Sequence, residues 1–347
     1  MGSLQIAIDA MGGDHAPAAI IEGAVQSLRE HSSQEGLRAL LVGREKEISK
    51  ELRRFSGLDP SRYEIIDARE TISMKEHLRH YWRRKNESSI SKTLQLVRDG
   101  RAQAAFSAGN SGAVMALARD LLGSPEGVER PALALMIPTL TGQSLLVDVG
   151  ANADPKARHL AQFALMGKIY LQTVKGIENP RIGLVSIGEE EAKGNELTKQ
   201  AHQLLKGMDI NFIGNIEGKD VYLGAADVIV TDGFTGNVAL KVTEGVVDVV
   251  LSMLRREITS NLFSKIGFFF LQRSLGRIKR RLDYTEIGGA LLLGVNGLVI
   301  VGHGRSSARA IASAISLSRT FIGERVNERI SQEMKRMRSA FKELNYA

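Results

Sequence analysis

The sequence predicts an α/β fold: a sheet covered by helices on both faces, assembled from two related halves, with a helical hairpin projecting from it. Three observations carry this. Short apolar runs alternate with amphipathic ones along most of the 347 residues, as strands and helices do in α/β sheets. The segment Asp227-Val-Ile-Val-Thr-Asp-Gly-Phe-Thr-Gly-Asn-Val-Ala-Leu240 echoes Gln103-Ala-Ala-Phe-Ser-Ala-Gly-Asn-Ser-Gly-Ala-Val-Met-Ala116 without a gap. Residues 243–283 break the alternation with a long helical pattern that contains no strand.

The elements follow in order. Strands are predicted at 5–9, 39–42, 63–67, 103–107, 145–148, 183–187, 211–213, 227–231 and 298–301, each apolar on both faces as buried strands are. Helices are predicted at 18–29, opened by Pro17, then at 45–55, 89–99, 113–122, 156–174, 195–206 and 238–256. Val295-Asn-Gly-Leu298 reads as a tight turn between two buried strands. The hairpin, 243–283, is broken near Gly267 and Gly276, and 324–342 reads as a charged, solvent-facing helix. No low-complexity linker divides the chain, so 1–347 is expected to form one unit of two intertwined halves.

Composition narrows the function classes. Charged residues are 24% and hydrophobic ones 43%, an ordinary globular balance. There is no cysteine, which excludes disulfides, thiolate metal sites and a cysteine nucleophile. The chain start has no basic n-region and no long apolar stretch, so no signal peptide is expected, and no segment reads as a transmembrane helix. The formal charge is +7, and residues 255–281 hold eight basic residues against one acid, a net of +7 for that segment alone. A localised basic surface points to an acidic partner. Aromatics total 5% and no nucleic-acid motif is present, so nucleic acid is not the expected partner. His77 and His80 lack a third ligand nearby and no HExxH exists, so no catalytic metal is expected.

In the near-repeat, Gly109 and Gly112 fall on Gly233 and Gly236, and Ser107 and Ser111 on Thr231 and Thr235. Each copy reads as a buried strand, a two-glycine turn and a helix start. Free N–H groups at a helix start form an anion site, so two anion-facing loops are expected to converge on one cleft. Asp9-Ala-Met-Gly-Gly-Asp-His-Ala-Pro17 places Asp9 at a strand end facing the usual crevice of an α/β sheet. The plainer reading is a strand-to-helix turn capped by Asp14. The adjacent Gly12 and Gly13 do not make a dinucleotide fingerprint. Gly188-Glu-Glu-Glu-Ala-Lys-Gly-Asn195 has its lysine and glycine in the wrong order for a P-loop. Lys193 stands just before a helix start at Asn195, where it either brings charge to the crevice or is an ordinary solvated lysine. Asp148 and Asn152 lie at another strand end. Asn237 lies at a helix opening, as a functional amide or as a cap. No GxSxG elbow is present. Ile258, Leu262, Ile266 and Phe270 recur at helical spacing, and Gly267-Phe-Phe-Phe-Leu271 sits at the hairpin turn between basic flanks. That tip resembles one that enters an anionic membrane interface; the alternative is an apolar stripe buried against a second subunit.

Together these segments resemble the bacterial acyl-acyl-carrier-protein:phosphate acyltransferases of phospholipid synthesis. The resemblance rests on Asp9 to Pro17, Ser107-Ala-Gly-Asn-Ser-Gly-Ala113, Arg130-Pro-Ala132, Asp148-Val-Gly-Ala-Asn152, Lys193-Gly-Asn-Glu-Leu-Thr-Lys199, Asn211-Phe-Ile-Gly-Asn-Ile-Glu217, Val230-Thr-Asp-Gly-Phe-Thr-Gly-Asn237 and Gly288-Gly-Ala-Leu-Leu-Leu-Gly294, in family order over nearly the whole chain. One mild departure is Ile90, where close relatives are expected to carry Met. The resemblance implies a three-layer α/β/α fold with one large mixed sheet, like isopropylmalate dehydrogenases and phosphotransacetylases. It implies a homodimer on the inner face of the cell membrane, cytoplasmic and peripherally attached. Its partners would be acyl carrier protein, inorganic phosphate, and the membrane acyltransferase that consumes acyl phosphate. Lys193 and Asn237 match the proposed catalytic pair. The expected substrate- and phosphate-binding set is Asp9, Gly12, Gly13, Asp14, His15, Asn110, Ser111, Gly112, Asn152, Asn195, Asp232, Thr235 and Gly236. The expected membrane contacts are Leu262, Ile266, Phe268, Phe269, Phe270 and Leu271.

The chemistry agrees with this composition. Phosphate carries its own nucleophilic oxygen, so a thioester donor needs no enzyme thiol, metal or cofactor. What it needs is placement of phosphate against the carbonyl and donors for the developing oxyanion. Two alternatives remain at this point: a phosphotransacetylase-like enzyme using acyl-CoA, and a non-catalytic binder of anionic membranes.

Overall fold

The computed structural model describes residues 4–30, 36–74, 76, 86–259, 268, 271–273, 276 and 288–343. Its strands are β1 (Gln5–Asp9), β2 (Arg38–Gly43), β3 (Tyr63–Asp67), β4 (Ala104–Ser107), β5 (Ala132–Thr139), β6 (Gly142–Val147), β7 (Ile182–Val185), β8 (Phe212–Ile216), β9 (Val228–Val230), β10 (Ala290–Leu293) and β11 (Leu298–Val301). Its helices are α1 (Ala18–Glu30), α2 (Glu45–Leu52), α3 (Ser89–Arg98), α4 (Ser111–Leu122), α5 (Ala157–Lys175), α6 (Glu196–Lys206), α7 (Gly233–Thr259), α8 (Ala308–Gly323) and α9 (Val326–Glu343). One mixed sheet runs in the order β3-β2-β1-β4-β11-β10-β5-β6-β9-β7-β8. β5 and β10 run against their neighbours.

Side chains alternate across the sheet, and both faces are covered. Along β1, Ile6 and Ile8 pack on one side and Ala7 on the other; along β2, Ala39 and Leu41 oppose Leu40 and Val42. The first side is closed by α1, α2, α5, α6, α8 and α9, the second mainly by α3 and α4. Burial on both faces is why the strands read as unbroken apolar runs rather than as alternating ones.

The two near-repeat segments take matching places in the sheet. β1 lies parallel to β4, and β6 lies parallel to β9; the two near-repeat segments begin at β4 and β9. Asp9 closes β1, and Asp148 follows β6 at the corresponding place.

Three expectations change. β5 was not legible, because Pro138 and the short spacing to β6 mask it; it pairs antiparallel with β6 from Ala134–Val147 to Thr139–Gly142. α8 was likewise missed, its Ala- and Ser-rich sequence giving a weak apolar signal. The predicted solvent-facing tail is docked instead: Val326, Ile330 and Met334 are fully buried, and α9 packs on α5. That i, i+4, i+8 stripe is a core-facing helix edge, diluted in the sequence by its charges. α7 is the first arm of the predicted 243–283 hairpin, and beyond Leu240 much of it faces outward. Phe268 and Leu271 are helical and exposed, whereas Leu262, Ile266, Phe269 and Phe270 lie outside the described residues. Among the described residues no helix is long and apolar enough to cross a membrane.

Candidate active site

Two buried carboxylates organise the loops at the ends of the central strands. Asp148 accepts five hydrogen bonds. Its Oδ1 takes the backbone N–H groups of Leu133 (3.0 Å), Gly150 (3.1 Å) and Ala151 (2.9 Å). Its Oδ2 takes Asn152 N (2.7 Å) and Asn152 Nδ2 (2.9 Å). Asp9 accepts from Ser107 Oγ at 2.6 Å and from Met11 N at 3.1 Å. Burial pushes both carboxyls above the usual carboxylate range, and their donors pull partly back.

The glycines of both turns follow from these carboxylates. A Cβ on Gly12 would stand 2.7 Å from Asp9 Oδ2 and 2.6 Å from Gly109 N. A Cβ on Gly233 would stand 2.9 Å from Asp148 Oδ2, and one on Gly236 would overlap the Asp148 carbonyl. Only a residue without a side chain lets the backbone approach this closely.

Above these loops, on the α4–α7 side of the sheet, lies a cavity of about 360 Å³. Its apolar wall is formed by Met115, Leu133, Leu135, Val149, Leu240 and Val301. Its polar groups are Asp14, Ser111, Asn237, Lys241, Glu244, His303, Arg305 and Ser306. The cavity lies over β5 and β10, between the loops at the carboxyl ends of β1, β4 and β11 on one side and the loop after β6, which runs the opposite way, on the other. Asp14 N donates to Gly304 O at 2.8 Å, tying the loop after β1 to the loop after β11. His303 Nδ1 accepts from Arg305 N at 3.1 Å, so the neutral ring carries its proton on Nε2. Burial, then the nearby Lys241 charge, holds this imidazole below its ordinary value.

Of the residues singled out in the sequence, Asp14, Ser111 and Asn237 line this cavity. Asp9 does not: it is fully buried beneath it, and the expectation that it faces the crevice is corrected. Gly12, Gly13, Gly112 and Gly236 shape the loops without lining the cavity, and His15 and Thr235 are exposed outside it. Asn110 caps α4 by accepting from Ala113 N, while its amide donates to the Ser73 and Met74 carbonyls. Asn152 is buried and donates to Pro131 O. Asn195 caps α6 and Asp232 caps α7. Asn237 is therefore no cap; it stands one turn into α7, exposed toward the cavity.

The two glycine turns are not equivalent. The first places Gly109 and Ser111 on the cavity, whereas the second packs its glycines under it and presents the flank of α7 instead. Lys193 is exposed in the loop between β7 and α6 and does not line the cavity; β7 neighbours β9, so its loop borders the one that opens α7. Sequence reasoning missed Lys241, Glu244 and His303-Gly304-Arg305-Ser306. The cue was present for the first two, because Lys241 and Glu244 follow Asn237 at helical spacing.

The profile of a fatty acid synthesis protein family matches residues 4–329. The phosphate acyltransferase of Dictyoglomus thermophilum is 45% identical over 336 residues, covering 96% of this chain and 98% of that protein. That of Carboxydothermus hydrogenoformans is 49% identical over 312 residues, covering 90% and 93%. This chain belongs to the phosphate acyltransferase family. It is thus an acyltransferase of the fatty acid and phospholipid synthesis family. Among solved structures it resembles a phosphotransacetylase from Streptococcus pyogenes, with a TM-score of 0.59, 18% identity and coverage of 92% and 94%. It also resembles a branched-chain phosphotransacylase from Enterococcus faecalis, with a TM-score of 0.54, 14% identity and coverage of 92% and 99%. At such identities the likeness is one of fold, and it agrees with the expected three-layer architecture.

Proposed function

We propose that this phosphate acyltransferase moves a fatty acyl group from acyl-acyl carrier protein to inorganic phosphate, giving acyl phosphate for phosphatidic acid synthesis. The observation that carries this reading is the cavity itself: an apolar wall for an acyl thioester facing Asn237 and cationic groups that suit phosphate. A phosphate oxygen attacks the thioester carbonyl and forms the C–O bond. The C–S bond breaks, the thiolate leaves with the electron pair, and the proton of hydrogen phosphate ends on that sulfur. The enzyme supplies placement and oxyanion donors.

Asn237 is the proposed oxyanion donor, supported by its exposure toward the cavity. Lys193 is its proposed partner, resting on the sequence resemblance and on the bordering loops. Acyl carrier protein is an acidic partner that suits the basic segment 255–281. A homodimer is supported by the stripe Phe234, Val238, Val242, Val246 and Met253, which is exposed along one edge of α7. Attachment to an anionic membrane rests on the basic flanks and the phenylalanine tip, and places the protein at the inner face of the cell membrane beside the acyltransferase that consumes its product.

A hydroxylamine trap tests the activity. Acyl-carrier-protein thioester, phosphate and protein should yield fatty hydroxamate, in a phosphate-dependent manner. Consumption of acyl-CoA alone would favour the phosphotransacetylase-like alternative. Vesicle flotation tests the tip: Phe269→Glu with Phe270→Glu should abolish flotation and keep soluble activity, and flotation equal to wild type would refute the contact.

A further inference from the structure

The cavity holds a cation that sequence reasoning passed over. Lys241 lies on α7 one turn beyond Asn237, so both side chains share the face that lines the cavity. Its Nζ meets Glu244 Oε2 at 2.8 Å. The two partners are buried very differently. The Lys241 side chain is 55% exposed, whereas that of Glu244 is 9% exposed. Glu244 Oε1 is buried with no hydrogen-bond partner, so Lys241 is the group that compensates this carboxylate.

An ammonium has three N–H bonds. One is committed to Glu244, and the open side of Lys241 faces the cavity. His303 lines the same space, near enough to feel both Lys241 and Glu244, and its neutral ring carries the proton on Nε2. Ser111, in the first turn of the twelve-residue helix α4, lines the same space. The Lys241 ammonium, the Arg305 guanidinium, the Asn237 amide and a helix start thus line one volume beside an apolar wall, with Asp14 and Glu244 as its acids. Inorganic phosphate near neutral pH is a mixture of mono- and dianion and must shed water to approach a thioester carbonyl there. A fixed cation offsets that cost.

We propose that Lys241 binds inorganic phosphate in this cavity and that Glu244 is its positioning residue. The inference rests on the reading of the cavity as the acyl-transfer site. Glu244 holds the ammonium through Oε2 while its Oε1 is buried, so Lys241 is the more open partner of the pair on the cavity they both line. The role is distinct from that of Lys193, which lies outside the cavity.

The test is steady-state kinetics on the full chain, varying phosphate and the acyl-carrier-protein thioester separately, with calorimetric titration of inorganic phosphate alongside. Lys241→Gln should raise the phosphate KM about tenfold or more and leave the thioester KM nearly unchanged, as loss of a charge-assisted contact does. Lys241→Arg should recover most of the loss. Glu244→Gln should also raise the phosphate KM and add little in the Lys241→Gln background, since it acts through Lys241. The double variant carries no unpaired buried charge, so it stays folded if Lys241→Gln alone does not. A Lys241→Gln or double variant with wild-type phosphate KM and only a lower melting temperature would make the pair structural and overturn the inference, with the acyl-transfer reading intact. A wild-type protein that consumes no thioester yet binds phosphate in a Lys241-dependent way would sink that reading and leave this site standing. A wild type that neither turns over nor binds phosphate would end both.

Discussion

Asp148→Asn and Asp9→Asn make the same chemical change at two corresponding places, and the structure assigns them different costs. Every partner of Asp148 is an N–H donor. An asparagine keeping its oxygen at the Oδ1 position retains Leu133, Gly150 and Ala151, but it points an amide NH₂ at Asn152 N, 2.7 Å away in the wild type. Flipping the Asn152 amide to accept would sacrifice its bond to Pro131 O. Two bonds are lost, and at least one buried donor is stranded at about 1–3 kcal/mol each. Relief from burying a charge offsets a part, leaving a loss of about 2–4 kcal/mol. At Asp9 the side-chain partners are the hydroxyls of Ser107 and Ser89, rotors that can turn and accept from an amide, while Oδ1 still receives Met11 N and the Gly12 N–H lies close by. Asp9→Asn should therefore cost under about 1 kcal/mol. Urea unfolding of both variants by circular dichroism at one protein concentration measures the difference. Equal losses, or an Asp148→Asn loss below about 1 kcal/mol, would refute the claim that partner type decides the cost.

Gly236→Ala should fail to accumulate as folded protein or lose more than about 3 kcal/mol, because its methyl would overlap the Asp148 carbonyl; a wild-type melting temperature would contradict the packing. His159 and His303 are both held below the ordinary imidazole value of 6.5, chiefly by burial. The unfolded chain then binds more protons below that pH, so stability is complete above it and falls as pH drops through it. Replacing both histidines with Gln should shrink that slope between neutral and mildly acidic pH in urea titrations; an unchanged slope would show that neither ring carries it. Asn237→Ala should lower kcat about a hundredfold with the fold intact, and Lys193→Ala should lower turnover strongly. Near-normal turnover of either in the hydroxamate assay would remove that residue from the proposed catalytic pair.

The sequence by itself determined the layered architecture, the near-repeat and the family. Period-two and period-3.6 apolar patterns are local, and the aligned glycines of 107–113 and 231–237 are local too. It also marked the loops around Asp9 and Asp148, because acids at strand ends followed by glycines are visible in one dimension. Only the tertiary structure decided which side those groups face. Asp9 turned inward to accept from Ser107 and Asn152 to donate to the Pro131 carbonyl, and Asn110, Asn195 and Asp232 became caps, since a polar side chain near a helix start binds its own backbone before any ligand. Val326, Ile330 and Met334 joined the core because α5 offers a surface that no charge pattern in 324–342 reveals. The cavity's cation was likewise a three-dimensional result. Lys241 and Glu244 look like an ordinary exposed helix pair until β5, β10 and the loop after β11 close around them, burying the carboxylate and leaving the ammonium open to the cavity.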